Sequence, residues 1–269
     1  PWGVGFPGWH LECSCMSQKY LGNTFDIHGG GLDLQFPHHE CEIAQSTAAQ
    51  GHPAVRYWMH NNMVTINGQK MGKSLGNFKT VREIANVYGY EVIRYFLVSS
   101  HYRSPINYSL EIIEQCKSAL ERLYTCRESL DFAIKNAKDI ADDTELIDRI
   151  NSRREQFVEA MDDDLNTADG VAAIFDLVKD INISILDKDV SKNVCDTAAK
   201  VFDELCDVLG ILYNRKSNDV DADIEALIEE RQTARANKDW ATADRIRDEL
   251  KAKGIILKDT PQGVTWTKE

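Results

Sequence analysis

Three side chains of metal-binding type stand at spacings that let them meet. Cys13 closes the string Gly8-Trp9-His10-Leu11-Glu12-Cys13, and further on Pro37-His38-His39-Glu40-Cys41-Glu42 opens a predicted helix. His38 and Glu42, at i and i+4, share one helical face. A thiolate, an imidazole and a carboxylate suit Zn²⁺, which normally takes four ligands. No fourth protein ligand is evident nearby, so the position is either open to a substrate or completed by a part of the protein outside this chain. His39, at i+3 from Glu42, is the competing imidazole. A second constellation is Gly68-Gln69-Lys70-Met71-Gly72-Lys73-Ser74-Leu75-Gly76-Asn77. Two lysines three apart in a Gly-rich loop can fold over a polyphosphate as point charges. Taken alone, the same string reads rather as a solvated basic loop.

The elements that must position these residues change character along the chain. Residues 1–79 are rich in Gly and aromatics and mix short strand and helix signals. Thr24 to His28 reads as a strand entering a turn at Gly29-Gly30-Gly31. Pro37 is placed at the first helical position, where its missing N–H costs nothing, and Gly51 stops that helix. Tyr57–His60 and Met63–Ile66 read as strands, the second followed by an Asn67-Gly68 turn. Residues 80–100 hold two short helices. Helical periodicity then dominates at about 109–137, 144–162, 166–186 and 192–213, as in a bundle. After a polar linker, two helices near 222–237 and 239–253, with Gly254 as a cap, precede strands at 255–258 and 264–267. That tail reads as a small separate α/β module.

The chain of 269 residues has room for one large domain or two to three smaller ones. Its formal charge is −12, and residues 111–221 carry that excess, with 14 Lys/Arg against 26 Asp/Glu. Bulk charge therefore argues against nucleic acid, while the near-neutral ends leave room for local phosphate contacts. No apolar run reaches the roughly 18 residues needed to span a bilayer. Nothing in these residues reads as a secretory or Arg-rich leader. Seven irregularly spaced cysteines, four of them (Cys116, Cys126, Cys195, Cys206) on apolar helical stripes, read as buried thiols of a reducing cytosol. The start at Pro1-Trp2-Gly3 reads as a cut inside a longer protein.

Joined in order, the strings become specific. Pro7-Gly8-Trp9-His10-Leu11-Glu12-Cys13, Asp26-Ile27-His28-Gly29-Gly30-Gly31-Leu32-Asp33-Leu34, Phe36-Pro37-His38-His39-Glu40, Glu42-Ile43-Ala44-Gln45-Ser46 and Lys70-Met71-Gly72-Lys73-Ser74 resemble cysteinyl-tRNA synthetase. This is a class I aminoacyl-tRNA synthetase family. The tail, with Asp239-Trp240-Ala241, Pro261-Gln262-Gly263 and Thr265-Trp266, is similar to the family's C-terminal end. The resemblance covers essentially the whole chain. It implies the later part of a class I Rossmann-like α/β catalytic domain (1–79), a helical connector (80–108), an all-α bundle (109–216) and an anticodon-binding module (222–269).

The resemblance also implies roles. Cys13, His38 and Glu42 take three zinc positions, and the fourth belongs to a cysteine of an N-terminal segment absent here. Zn²⁺ binds a thiolate far better than a serine hydroxyl, so cysteine is told from serine without editing. Trp9 and His28 map to the amino-acid pocket. Gly30 and Asp33 map to the nucleotide side, as close backbone approach and a ribose contact. Lys70 and Lys73 match the second class I signature, usually Lys-Met-Ser-Lys-Ser, with Gly72 in place of serine. Their role is to stabilise charge on the pyrophosphate leaving group, Lys73 dominating. Arg235, Trp240 and Asp244 form a candidate anticodon reader; the tail alone is equally a helical hairpin with a buried Trp. Asp162-Asp163-Asp164-Leu165-Asn166-Thr167 is read as the end of one helix and the cap of the next, rather than a Ca²⁺ or Mg²⁺ site.

The expected activity is therefore ATP-dependent ligation of cysteine to a tRNA with a Cys anticodon, by a cytoplasmic monomer using Mg²⁺ with ATP. The His-x-Gly-His type motif of the family is not found in the chain, so the isolated chain is expected to be inactive in adenylate formation. Two other readings are a non-catalytic tRNA-binding fragment and a related ligase joining cysteine to an amino sugar. The tail disfavours the amino-sugar ligase.

Overall fold

In the computed structural model, described over residues 3–186, 188–215, 227–235, 237, 239–260 and 263–268, the chain divides into two compact units. The first comprises residues 1–117 with 160–168, the second 118–159 with 169–269.

The first unit begins with α1 (Trp9–Leu21), which carries Trp9 and Cys13 one turn apart. Strands β1 (Phe25–Gly31) and β2 (Val55–Asn61) are parallel, in register from Phe25↔Val55 to Gly31↔Asn61. Helix α2 (Glu40–Gln50) connects them, so the segment is a βαβ unit. Two sequence expectations are corrected here. Gly29, Gly30 and Gly31 continue the strand, because their backbone pairs with Met59, His60 and Asn61. A Cβ at Gly30 would lie 2.6 Å from Cε1 of His39, so glycine is required there for approach rather than for a turn. The helix also starts later than Pro37. Residues Gln35–His39 form a wide turn with Phe36 extended (φ −134°, ψ 131°), as the residue before a proline prefers. Gly51 ends α2 as expected, left-handed at φ 79° with its N–H on the Thr47 carbonyl.

A second sheet has the order β4–β3–β5. Strands β3 (Val64–Ile66) and β4 (Gln69–Lys70) form a hairpin over Asn67 (φ 49°) and Gly68 (φ 77°), the two positive φ values that a tight hairpin turn needs. Strand β5 (Ile106–Tyr108), not anticipated from sequence, lies parallel to β3. Helix α3 (Val81–Tyr88) starts at a reciprocal Thr80–Glu83 capping box. Gly89, at φ 85°, separates it from α4 (Tyr90–Val98).

Helix α5 (Leu110–Lys135) contributes its later turns to the second unit, with α6 (Thr144–Asp162), α7 (Thr167–Ser184) and α8 (Lys192–Leu209). Leu130, Ile150, Leu177 and Phe202, one from each helix, are completely buried. Burial of one apolar stripe per helix holds the bundle, each large side chain contributing roughly 1.5–3 kcal/mol. Ion pairs tie neighbours together: Arg127 is bidentate on Asp203 at 2.7 and 3.0 Å, and Arg153 Nε donates to Asp180 at 2.7 Å. The acidic corner ends α6 as expected, but Asp164 is spent on Tyr102 (2.8 Å) and Arg103 (2.9 Å) within the first unit. Cys116, Cys126, Cys195 and Cys206 are free and buried, as their apolar stripes predict.

The tail has a helix α9 at 227–235, then α10 (Trp240–Ala252) capped by Asp239, and the antiparallel pair β6 (Ile255–Thr260) and β7 (Gly263–Lys268). Ile228, Ile246, Leu250 and Ile255 form its core. Residues 222–226 of the expected first helix, and Pro261 and Gln262 of the expected turn, lie outside the described residues. Among the described residues no helix is long and apolar enough to cross a membrane.

Candidate metal centre and lysine loop

Helix α1, the turn Gln35–His39 and helix α2 bring the three expected ligands together. The ligand atoms of Cys13, His38 and Glu42 all lie within 4.8 Å of one another, with His38 and Glu42 buried. His38 Nε2 approaches Glu42 Oε1 at 2.9 Å, as the i, i+4 spacing predicts. This close pair is not aligned as a hydrogen bond, and Oε1 is a buried oxygen without a hydrogen-bond donor. His38 Nδ1 lies 3.3 Å from His10 Nδ1, a contact that carries one proton. With that proton on His38, Nε2 keeps its lone pair and stands as a second acceptor 2.9 Å from the carboxylate oxygen. Two acceptors this close beside a thiol are a donor set that fits a divalent cation.

Electrostatics agree with a site lacking positive charge. Burial pushes Glu42 up to about 7. Burial, then the Glu42 carboxylate, raises the Cys13 thiol above its ordinary value. Burial lowers His38, with His10 adding to the effect. A bound dication opposes the shifts of Glu42 and Cys13, because it favours carboxylate and thiolate, and it takes His38 as the neutral imidazole that burial already favours.

Around this triad stand the expected pocket residues and several that sequence reasoning missed. Trp9 packs on His38 with ring centroids 4.1 Å apart. His28 lies 3.6 Å from the other Glu42 oxygen and stacks on Trp58 at 4.6 Å. His39 is not part of the Cys13 triad. Its Nδ1 lies 2.7 Å from His60 Nε2, and burial followed by the neighbouring His28, His60 and His38 lowers it to about 4. Trp58 and His60 alternate on β2, so strand periodicity alone places them on one face. His10 carried no such signal. Asp33 is exposed on the short turn after β1, and Gly30 lies beside His39.

The lysine loop is a closed unit. Asn77 Oδ1 accepts from the Gly72 N–H at 2.9 Å, and its Nδ2 donates to the Lys70 carbonyl at 3.0 Å. Gly76, left-handed at φ 66°, turns the chain back so that Asn77 can reach. Asn107 on β5 accepts from Gly68 N–H (2.7 Å) and from the Thr65 hydroxyl (3.1 Å), fixing the preceding hairpin. Lys70 and Lys73 are exposed, and Lys73 Nζ rests 5.5 Å from the centre of the Phe78 ring. The two asparagines were not anticipated, because a side chain bridging a loop leaves no periodic trace.

In the tail, Arg235 ends α9 and Trp240 opens α10, while Asp244 lies one turn further on. Trp240 is 59% exposed, so it is not the buried core Trp of an ordinary hairpin. Asp244 pairs with Arg247 at 3.1 Å.

Comparison with known proteins gives the same order of parts. The family of tRNA synthetases class I (C) catalytic domains matches residues 1–118, the DALR domain family 156–213, and the cysteinyl-tRNA ligase anticodon binding domain family 217–266. Cysteine–tRNA ligases of Geobacillus sp. (strain WCH70) and Lachnospira eligens are 50% and 51% identical to it over the whole chain. The chain spans 58% and 57% of their lengths. Among solved structures, the Agrobacterium radiobacter K84 agnB2 LeuRS is similar over 70% of this chain and 28% of its own (TM-score 0.54, 18% identity). Mycobacterium tuberculosis methionyl-tRNA synthetase is similar over 77% and 43% (TM-score 0.51, 21% identity), so both share the fold. Together with the ligand triad and lysine loop in their expected places along the sequence, these matches show that the chain belongs to the cysteinyl-tRNA synthetase family.

Proposed function

We propose that this chain serves ATP-dependent ligation of cysteine to tRNA, as part of a protein extending beyond these residues. The observation that carries the proposal is the convergence of Cys13, His38 and Glu42 within 4.8 Å, in a chain whose relatives are cysteine–tRNA ligases. These three residues would hold Zn²⁺, with a further cysteine ligand from outside the chain. The ion would supply a Lewis-acid position that accepts a substrate thiolate and rejects a hydroxyl. Trp9 and His28 wall the amino-acid pocket. Gly30 and Asp33 contact the nucleotide, which brings Mg²⁺. Lys70 and Lys73, held by the Asn77 bridge, balance charge on departing pyrophosphate without reorganising. Arg235, Trp240 and Asp244 present a guanidinium, a stacking face and an acceptor to the anticodon of the cognate tRNA. The catalytic part is assigned to 1–79, the connector to 80–108, the bundle to 109–216 and the anticodon module to 222–269. The protein is assigned to the cytoplasm as a monomer.

Metal analysis of the chain, with and without an added N-terminal half, tests the centre. Zinc bound by the parent chain, tightened by the added half and lost in Cys13→Ser, is the expected result. Zinc retention unchanged in Cys13→Ser overturns it. Pyrophosphate exchange by the chain alone is expected to be negligible, and robust turnover would refute the need for the further segment.

A further inference from the structure

Glu42 faces two donor sets at once. Its Oε1 lies by His38, while its Oε2 is 3.6 Å from Nδ1 of His28. The ligand atoms of His28, His39 and Glu42 lie within 4.8 Å of one another, as those of Cys13, His38 and Glu42 do. His28 Nδ1 is a buried ring nitrogen with no hydrogen-bond partner. His39 and Glu42 are 2% and 4% exposed. The second set is also held in place from outside. Trp58 stacks on His28 and lies 4.8 Å from the His39 ring, and His60 holds Nδ1 of His39. Outer partners of this kind orient ligand imidazoles at metal centres.

We propose that His28, His39 and Glu42 form a second transition-metal position, with Glu42 as a carboxylate shared between the two sets. The sharing rests on the reading of Cys13, His38 and Glu42 as the first position. The two sets differ in chemistry. The first has a soft thiolate and selects Zn²⁺. The second has two imidazoles and a carboxylate, which suit first-row divalent ions such as Co²⁺, Ni²⁺ and Zn²⁺. It is the weaker position, because the shared carboxylate is its only anionic ligand, whereas the first position also has the Cys13 thiolate. His28 belongs to the proposed amino-acid pocket, so filling the second position removes that imidazole from the substrate. Excess metal therefore opposes cysteine binding.

Titration of the 269-residue chain with Co²⁺, followed by optical absorption and bound-metal analysis, separates the positions. The expected result is two equivalents, the tighter one alone showing thiolate-to-cobalt charge transfer. His28→Ala is expected to keep that equivalent and weaken the other at least tenfold. Cys13→Ser is expected to lose the charge transfer and keep the other equivalent. His39→Ala, checked by circular dichroism, should behave as His28→Ala. A single equivalent with charge transfer that His28→Ala leaves intact overturns the second position. A single equivalent lost in both Cys13→Ser and His28→Ala also overturns it, since one ion then draws on both sets. Charge transfer absent from the parent, or surviving Cys13→Ser, refutes the first position instead, and the His28→Ala response still decides the second.

Discussion

Loading one equivalent of zinc onto the chain is expected to expel a countable number of protons. Near pH 7.5 the Cys13 thiol, raised above 9.0, carries its proton. Glu42, pushed up to about 7 by burial, is partly protonated there. His38, lowered from 6.5, is essentially neutral and gives up nothing. Binding as thiolate, carboxylate and imidazole therefore releases between one and two protons near pH 7.5, and the count rises as pH falls through the range where Glu42 titrates. Apparent affinity then falls at least about tenfold for each unit that the pH drops below 7.5. Calorimetry in two buffers of different ionisation enthalpy counts the protons directly. Glu42→Gln should leave about one proton throughout that range, abolishing the pH trend. The sign for stability follows. A carboxylate whose folded pKa lies above its unfolded value costs the metal-free fold stability as pH rises through that range. Zinc should therefore raise the melting temperature more at pH 8 than at pH 6. A parent count that does not rise as pH falls, or a pH trend that survives Glu42→Gln, would refute the assignment of Glu42 as a ligand.

Asn77→Ala removes two hydrogen bonds worth about 1 kcal/mol each, and in the full-length protein pyrophosphate exchange is expected to fall about tenfold with the circular dichroism spectrum unchanged; parent-like exchange would show that the bridge does not position the lysines. Burial raises Asp203, but Arg127 and Arg215 outweigh it and hold the carboxyl below its ordinary value. Its stabilisation is thus present above the unfolded pKa of about 3.9 and lost as pH falls through the lower folded value. Asp203→Asn should cost about 1–3 kcal/mol near neutral pH, and the deficit should vanish in strong acid when unfolding is followed by denaturant at each pH. Trp240→Ala is expected to weaken binding of tRNA bearing a Cys anticodon by about 1–3 kcal/mol in filter assays at fixed salt, with an unchanged circular dichroism spectrum. Equal loss for all tRNAs would place Trp240 outside anticodon reading.

Local rules were enough for much of the molecule. His38 and Glu42 were paired by helical spacing, the bundle helices by 3.6-residue periodicity, and the Asn67-Gly68 hairpin by the positive φ that only such residues accept readily. Where contacts cross the chain, local signals failed. Three consecutive glycines read as a turn, yet pairing with β2 drew them into a strand and His39 required the missing Cβ. Strand β5 is three residues long and exists because β3 needs a partner. Asn77 and Asn107 are ordinary polar loop residues until their amides are seen bridging backbone groups.

By itself, the sequence determined which chemistries were available: a thiol, imidazoles and a carboxylate for a metal, two lysines for phosphate, and a family to which those strings belong. Residue type and short-range spacing carry that information, because donor character and helical phase are local properties. Only the tertiary structure decided how the imidazoles were shared out. His38 joins Cys13, His39 turns to His60 and His28, and one buried Glu42 lies between both groups. That partition depends on α1, β1, α2 and β2 meeting in space, and no spacing along the chain encodes it.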